Sequence, residues 1–254
     1  MKKYIQDLVV NENIKIGENF LLLNLKMTTP YPEILPGQFV EIRVDNSPST
    51  YLRRPISVHD VYYKNGILSL LIQKVGDGTN KLGELKTDDI VNLVYPLGKT
   101  FSIDSSNKKV LLVGGGVGVA PLYYLGKQLK AQGIDARFMF GARSKQHLIC
   151  YEKYTNLLPT EVTTEDGSFG MQGLVTQHPL FNEKFDMIYV CGPTPMMKAV
   201  AKIAKERHIN CEVSLENKMA CGLGACLCCV TETKDGHKCV CSDGPVFNIN
   251  DLNW

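Results

Sequence analysis

The chain has 254 residues, 44% of them hydrophobic, and a formal net charge of +2 with acidic and basic residues interspersed. This length predicts two domains with a small appendage, and the balanced charge excludes the basic stripe of a nucleic-acid-binding protein. No apolar run has the length of a membrane span, and the amino terminus, MKKYIQDL, lacks the apolar core of a signal peptide. With an odd count of nine cysteines, this predicts a cytoplasmic protein with reduced thiols and no membrane partner.

Residues 1–100 have the pattern of β structure. The runs FVEIRV, ILSLLIQKV and DIVNLV alternate or stay apolar over strand lengths, and turn signals rich in proline, glycine and asparagine separate them. Because few long helical patterns interrupt these runs, we predict a small antiparallel barrel.

Two motifs within this region are candidate phosphate or ring contacts. The segment Arg53-Arg54-Pro55-Ile56-Ser57 offers two guanidinium groups and a hydroxyl beside a rigid proline, although a solvated arginine pair at a strand end is an equal alternative. The segment Gly76-Asp77-Gly78-Thr79 predicts a hairpin turn first and a second phosphate loop as the alternative.

Strands and helices alternate from about residue 108. The run VLLV leads into GGGVGVAP, followed by a predicted helix over 122–132, strands over 136–141 and 185–193, and a helix over 195–207. This alternation predicts a parallel α/β sheet.

Two turns of this region lie where strands should end. The glycine-rich turn from Gly114 to Pro121 would let backbone amides approach a pyrophosphate at the start of a helix. The turn departs from the G-x-G-x-x-G pattern, and a tight turn without a ligand is the alternative. The turn Cys191-Gly192-Pro193 closes a predicted strand at the edge where ligands of α/β sheets collect, with a plain turn as the alternative.

Six of the nine cysteines lie between Cys221 and Cys241. The three cysteines Cys221, Cys226 and Cys229 have the C-x4-C-x2-C spacing of a plant-type [2Fe–2S] loop, and Cys239 or Cys241 can supply the fourth thiolate. The glycines at 222 and 224 give the backbone freedom to turn its amides toward the sulfurs. A zinc knuckle fits less well because its second pair of cysteines is usually wider than C-V-C, and a disulfide framework does not suit a long chain without an export signal.

A nicotinamide site and a cluster on one chain imply a flavin. Nicotinamide takes two electrons as a hydride, a cluster passes them singly, and a flavin does both. We therefore predict that the β domain binds FAD.

The motifs together resemble the ferredoxin–NADP reductase superfamily. Its R-x-Y-S flavin motif is similar to Arg54-Pro55-Ile56-Ser57, with Ile56 where an aromatic residue is common. Its G-x-G-x-x-P loop is similar to the run with Gly116, Gly118 and Pro121, and its C-G-P motif is similar to Cys191-Gly192-Pro193.

The resemblance is closer to the electron-transfer subunits of NAD-dependent (class 1B) dihydroorotate dehydrogenases. The motifs RRPIS, GDGT, GGGVGVAP, CGPTPM, MACGLGAC and CSDGPVF stand in that family's order across nearly the whole chain. This resemblance implies that Cys241 is the fourth ligand, with Cys228 and Cys239 outside the ligand set. It implies flavin contacts at Arg54, Pro55, Ile56, Ser57, Leu71, Ile72, Gln73, Gly78 and Thr79.

The same resemblance implies an architecture of an antiparallel FAD-binding β-barrel (1–100), a parallel α/β NAD-binding domain (101–212) and a small [2Fe–2S] subdomain (213–254). Electrons would run from the FMN of a dihydroorotate-oxidising catalytic subunit through [2Fe–2S] and FAD to NAD⁺ in pyrimidine (UMP) biosynthesis. The expected assembly is a heterotetramer with two copies of each subunit. No residue of this chain is expected to be catalytic toward dihydroorotate.

Two alternatives remain at this point. The first is the small flavin and iron–sulfur subunit of another NAD(P)H:ferredoxin-type oxidoreductase, in which the first ligand position resembles an aspartate rather than Cys221. The second is a zinc-stabilised interaction protein without redox function, which would be colourless.

Overall fold

The structure is a computed structural model that describes residues 2–254. Its chain divides into two compact units. The barrel unit consists of residues up to Thr100 together with 217–231 and 237–245. The sheet unit consists of residues 101–216, 232–236 and 246–254.

A closed antiparallel barrel forms the body of the barrel unit, with strand order β1-β2-β5-β4-β3-β6. Its strands are β1 (Tyr4–Ile16), β2 (Phe20–Lys26), β3 (Phe39–Ile42), β4 (Arg54–Tyr62), β5 (Ile67–Gln73) and β6 (Ile90–Leu97). The strand β1 alternates between exposed and covered residues because one of its faces meets solvent. In β5 the five central residues, LSLLI, are all buried. The predicted antiparallel barrel is thus confirmed.

The predicted hairpin turn at Gly76–Thr79 is wrong. A short helix, α1 (Asp77–Leu82), begins there instead. The hydroxyl of Thr79 accepts hydrogen bonds from the backbone N–H groups of Val75 (2.9 Å) and Gly76 (3.2 Å). These bonds satisfy amides that precede the helix, so the segment turns into a helix rather than back into a strand.

A mixed seven-stranded sheet forms the sheet unit, in the order β10-β9-β8-β7-β11-β12-β15. Only β15 is antiparallel to its neighbour, so the predicted parallel α/β sheet is confirmed. Its central strands are apolar throughout because both faces are covered. Strands of the second half of the chain are β7 (Lys109–Gly115), β8 (Asp135–Ala142), β9 (Thr160–Thr164), β10 (Met171–Gln172), β11 (Met187–Cys191), β12 (Asn210–Ser214), the hairpin β13 (Val230–Thr233) and β14 (Gly236–Cys239), and β15 (Val246–Asn248).

Three further helices accompany this sheet: α2 (Ala120–Ala131), α3 (Tyr151–Thr155) and α4 (Thr194–Glu206). The helices predicted over 122–132 and 195–207 correspond to α2 and α4. Helix α2 approaches β8 closely at Gly126, where an added Cβ would lie 2.7 Å from Cζ of Phe138. Within residues 2–254, no helix combines the length and apolarity needed to cross a bilayer.

Candidate functional site

The cluster loop, defined here as residues 221–229, has neither helix nor strand. Its backbone adopts positive φ angles at Gly222 (+67°), Gly224 (+83°) and Leu227 (+58°). Left-handed residues of this kind turn successive N–H groups toward a common side, as anion-binding nests do. The loop therefore has the backbone geometry expected of a loop that surrounds sulfur ligands.

Backbone amides point at three of the four predicted ligand sulfurs. The Leu223 N–H donates to Sγ of Cys221 at 3.3 Å, and the Gly224 N–H donates to Sγ of Cys241 at 3.1 Å. The Cys241 N–H donates to Sγ of Cys229 at 3.4 Å. Such donors favour the thiolate over the thiol, and the Leu223 amide is the main reason that the pKa of Cys221 falls to about 6.

The four predicted ligand thiols form two pairs. The side chains of Cys221 and Cys226 lie beside each other, and so do those of Cys229 and Cys241. A [2Fe–2S] cluster takes two protein ligands on each iron, whereas structural zinc takes four at one ion. The two pairs fit the two-iron group.

The Cys241 thiol is buried among protein groups. Burial raises the pKa of Cys241, which lies against Cys229 in the interior. A metal that coordinates a thiol removes its proton outright. The buried pair of thiols, Cys229 and Cys241, is therefore suited to bind a metal, whereas the Cys226 thiol is exposed.

Sequence reasoning missed Glu41, which lies on β3 beneath the cluster loop. The side chain is only 1% exposed, and neither carboxylate oxygen has a hydrogen-bond partner among the described residues. A Cβ added at Gly222 would lie 2.5 Å from Cγ of Glu41, so the loop approaches this carboxyl as closely as glycine permits. Burial raises the pKa of Glu41 to about 7, against the opposing effect of Arg53.

We expect Glu41→Gln to stabilise the protein at high pH and not at low pH. Between pH 4.5 and about 7 the folded protein keeps a proton that the unfolded chain releases, so stability falls as pH rises through this range. Above it the full cost of the buried charge is present, roughly 1–3 kcal/mol. Thermal unfolding midpoints at pH 5 and pH 8 measure the effect, with the exposed Glu33→Gln as control. An equal change at both pH values would contradict the expectation.

The predicted flavin residues lie on adjacent strands of the barrel unit. The segment Arg54–Ser57 begins β4, and Leu71–Gln73 ends β5, its antiparallel neighbour. A Cβ added at Gly78 would lie 2.8 Å from Nε of Arg54, so the absence of a side chain at Gly78 leaves space beside that guanidinium, called here the Gly78 cradle. Thr79 lies in the same first turn of α1, where its hydroxyl is used by the backbone. The arrangement fits a phosphate-bearing ligand at Arg54.

The two arginines of the motif have different surroundings. Arg53 donates to the backbone oxygen of Asn92 (3.0 Å), to its side-chain oxygen (2.5 Å) and to the backbone oxygen of Glu41 (3.3 Å). It therefore joins β3 to β6 as part of the barrel. Arg54 donates to the backbone oxygens of Leu52 (3.1 Å) and Arg53 (3.2 Å) beside the Gly78 cradle. Of the two, Arg54 is the candidate ligand contact.

The predicted nucleotide residues meet at one edge of the sheet. Strands β7 and β11 are neighbours and pair Gly114 with Cys191, so the turns that follow them lie side by side. A Cβ added at Gly118 would lie 2.5 Å from the carbonyl carbon and oxygen of Cys191. Pro121 is buried in the first turn of α2, and the remaining members of the predicted set are Gly116, Gly192 and Pro193. This edge is where parallel sheets bind nucleotides.

A second residue that sequence reasoning missed, Glu216, lies beside Cys191. The fully buried thiol donates to Oε1 of Glu216 at 3.8 Å. Desolvation raises the pKa of both groups, although the Glu216 side chain remains accessible to solvent. The sequence around it, Leu215-Glu216-Asn217, contains no motif that would have identified it.

We expect Gly118→Ala to impair NADH use strongly. Because the added methyl group meets backbone atoms of Cys191, one of the two turns must move. The expected loss is about 10- to 100-fold in kcat/KM for NADH with an artificial electron acceptor. The control is Gly133→Ala, where φ is +73° but no atom lies within 4 Å of the added Cβ. Equal kinetics for the two variants would show that the approach of the turns does not matter.

Comparison with protein-family models divides the chain into three matches. Residues 7–101 match an oxidoreductase FAD-binding domain, and residues 112–202 match an oxidoreductase NAD-binding domain. Residues 216–253 match the iron–sulfur cluster binding domain of dihydroorotate dehydrogenase B.

Curated relatives match over most of their length. A protein of Caldanaerobacter subterraneus subsp. tengcongensis named dihydroorotate dehydrogenase B (NAD(+)), electron transfer subunit, is 42% identical over 84% of each chain. One of the same name from Fusobacterium nucleatum is 36% identical over 98% of each chain. A solved structure of NADH-dependent reduced ferredoxin-NADP oxidoreductase, described for flavin-based electron bifurcation, is 33% identical with a TM-score of 0.87, covering 97% of this chain and 90% of that one.

Proposed function

The chain belongs to the family of electron transfer subunits of dihydroorotate dehydrogenase B (NAD⁺), and from this premise we propose the route and partner that follow. The protein is an oxidoreductase subunit of pyrimidine biosynthesis with domains for FAD, NAD and an iron–sulfur cluster. The proposal is that it carries electrons from the FMN of a dihydroorotate-oxidising catalytic subunit to NAD⁺.

Named residues divide this work between them. Cys221, Cys226, Cys229 and Cys241 hold the cluster, and the amides of Leu223, Gly224 and Cys241 stabilise the negative charge on three of these sulfurs. Arg54, with Pro55, Ile56 and Ser57 after it, binds the flavin. The turns at Gly116–Pro121 and Cys191–Pro193 receive the nicotinamide nucleotide at the sheet edge. When bound, these groups supply one-electron transfer at the cluster and the interchange between single electrons and hydride at the flavin.

The observation that carries the proposal is that Cys241 meets the three predicted ligand cysteines of the cluster loop, with backbone amides donating to three of the four sulfurs. Such a loop serves one-electron chemistry, and such chemistry needs a redox partner.

We place the catalytic subunit at the outer side of the cluster loop. The exposed thiol Cys226 lies there between Leu223, which is 46% exposed, and Leu227, which is 64% exposed. Apolar side chains around a redox centre form a surface that a partner protein can bury, and they exclude water from the centre. The assembly proposed is a heterotetramer of two electron transfer and two catalytic subunits.

Co-purification with an untagged catalytic subunit of the same organism tests the proposal. The expected complex contains FMN, FAD, iron and acid-labile sulfide, has the mass of two copies of each subunit by light scattering, and forms orotate from dihydroorotate with NAD⁺. The electron transfer subunit alone should be brown-yellow and should reduce dyes with NADH. A colourless protein that binds zinc and no flavin would refute the proposal.

A second candidate is a small subunit of a ferredoxin-linked NAD(P)H oxidoreductase. The 33% identity and TM-score of 0.87 to the reduced ferredoxin-NADP oxidoreductase structure favour it as an alternative. Identities of 36–42% to dihydroorotate dehydrogenase B subunits, and a cysteine at position 221, favour the first. Faster electron transfer to ferredoxin than to the catalytic subunit would reverse this order.

A further inference from the structure

Two cysteines, one in the cluster loop and one after it, lie outside the predicted ligand set, and they differ in their surroundings. Cys228 is exposed, and its thiol points at the backbone oxygen of Lys218 at 3.7 Å. Cys239 ends β14 and is only 8% exposed. Of the two, the buried Cys239 is the one placed to bind a metal, because the thiol of Cys228 faces a backbone carbonyl.

Backbone hydrogen bonds hold the two residues after Cys239 next to the ligand Cys229. The Val240 N–H donates to the backbone oxygen of Cys229 at 3.1 Å, and the Cys241 N–H donates to its sulfur at 3.4 Å. Val240 and Cys241, the two residues after Cys239, are therefore both bonded to Cys229. The side chain of Cys239 lies beside that of Cys229.

The Cys229 sulfur thus has two thiol neighbours, Cys239 and Cys241. Elsewhere in the loop, the side chain of Cys221 lies beside that of Cys226. Because each iron of a [2Fe–2S] cluster takes two protein ligands, the Cys229 end contains one thiol more than its iron needs. Only Val240 separates the two alternatives in the chain, so an exchange between them requires movement of one turn rather than of a strand.

We propose that Cys239 is a reserve ligand of the cluster, which replaces Cys241 as the second thiolate on the iron bound by Cys229. The proposal rests on the iron–sulfur function proposed above. In the exchange, the Cys239 thiol releases its proton and forms an Fe–S bond, while the Fe–S bond to Cys241 breaks and that sulfur takes up a proton. No electron is gained or lost, so the exchange needs neither oxidant nor reductant.

A neighbouring carboxylate keeps the reserve thiol in place. Oδ2 of Asp243 accepts from the Cys239 N–H at 2.8 Å, and the Asp243 N–H donates to the backbone oxygen of Cys239 at 2.7 Å. The turn that carries Cys241 is thereby tied to Cys239 from both sides. Loss of the Cys241 sulfur would leave this turn, and the position of Cys239 beside Cys229, intact.

The test compares single and double variants of the full chain, purified anaerobically. Cys241→Ala, a change that removes any ligand atom, should keep at least about half of the wild-type iron and sulfide per FAD, with altered g-values in the electron paramagnetic resonance spectrum of the reduced protein. Cys239→Ala/Cys241→Ala should keep less than about a tenth. The matched control, Cys228→Ala/Cys241→Ala, should resemble Cys241→Ala alone.

Equal losses of iron in Cys241→Ala and in the Cys239→Ala/Cys241→Ala variant would overturn the reserve ligand. A wild-type protein without iron and sulfide would instead refute the proposed function, so the two failures are distinguishable. If Cys241→Ala does not retain FAD, Cys241→Ser is the second variant. Its visible spectrum should remain that of four-thiolate ligation, and a spectrum shifted to shorter wavelength by oxygen ligation would overturn the proposal.

Discussion

Replacing Cys226 with serine is expected to abolish electron transfer to the catalytic subunit while FAD binding and NADH–dye activity persist. The cluster loses one of its four ligands, whereas the flavin and nucleotide residues lie on β4, β5 and the sheet edge. We expect a loss of at least about 100-fold in NAD⁺-dependent orotate formation, since even outer-shell changes at metal sites cost 10- to 100-fold. Iron, sulfide and FAD contents, measured beside the two activities, locate the defect.

The matched control for this variant is Cys228→Ser, which changes the same chemical group two residues away. Cys228 is as exposed as Cys226, but its thiol faces the carbonyl of Lys218. The control should keep wild-type iron content and electron transfer. Undiminished electron transfer in Cys226→Ser would exclude the cluster route, and loss of iron in both variants would show that the loop, rather than one ligand, is sensitive.

Replacing Arg54 with alanine is expected to lower FAD occupancy. A charged hydrogen bond of the kind proposed between this guanidinium and a phosphate contributes about 1.5–3 kcal/mol, which corresponds to roughly 10- to 100-fold in the dissociation constant. The Gly78 cradle would lose the positively charged guanidinium beside it. Absorbance of bound flavin in the purified protein, and titration of the stripped protein with FAD, measure the change.

The control for Arg54→Ala is Arg43→Ala. Arg43 is an exposed arginine of the same unit, whose Nε lies 2.7 Å from Oδ1 of Asp45. An exposed pair of this kind contributes 0–1 kcal/mol, so FAD occupancy should not change. Full yellow colour in the Arg54→Ala protein would remove Arg54 from the flavin site. Arg53 is unsuitable as a control because it joins two barrel strands.

Much of the fold was predictable because its signals are local. Strand-length apolar runs in the first hundred residues predicted the barrel, and alternation of strands and helices predicted the parallel sheet. The segment at Gly76–Thr79 misled the prediction because glycine and aspartate are common to hairpin turns and helix starts. The Thr79 hydroxyl decides between them by accepting from the amides before α1.

The roles of Glu41 and Glu216 had no local signal. Glu41 stands in an ordinary strand pattern, FVEIRV, and meets Gly222 only because the barrel and the cluster loop pack together. Glu216 reaches Cys191 because β11 and β12 are neighbours in the sheet. The different tasks of Arg53 and Arg54 likewise depend on which strand each side chain faces.

By itself, the sequence determined the chemistry available to this protein, because ligand spacing, glycine turns and strand periodicity are properties of short segments. The tertiary structure alone decided which thiols lie beside each other, which of the two arginines joins barrel strands, and which carboxyl lies under the cluster loop. Those relations join residues far apart in the chain, and they follow from strand pairing and close packing that no short segment encodes.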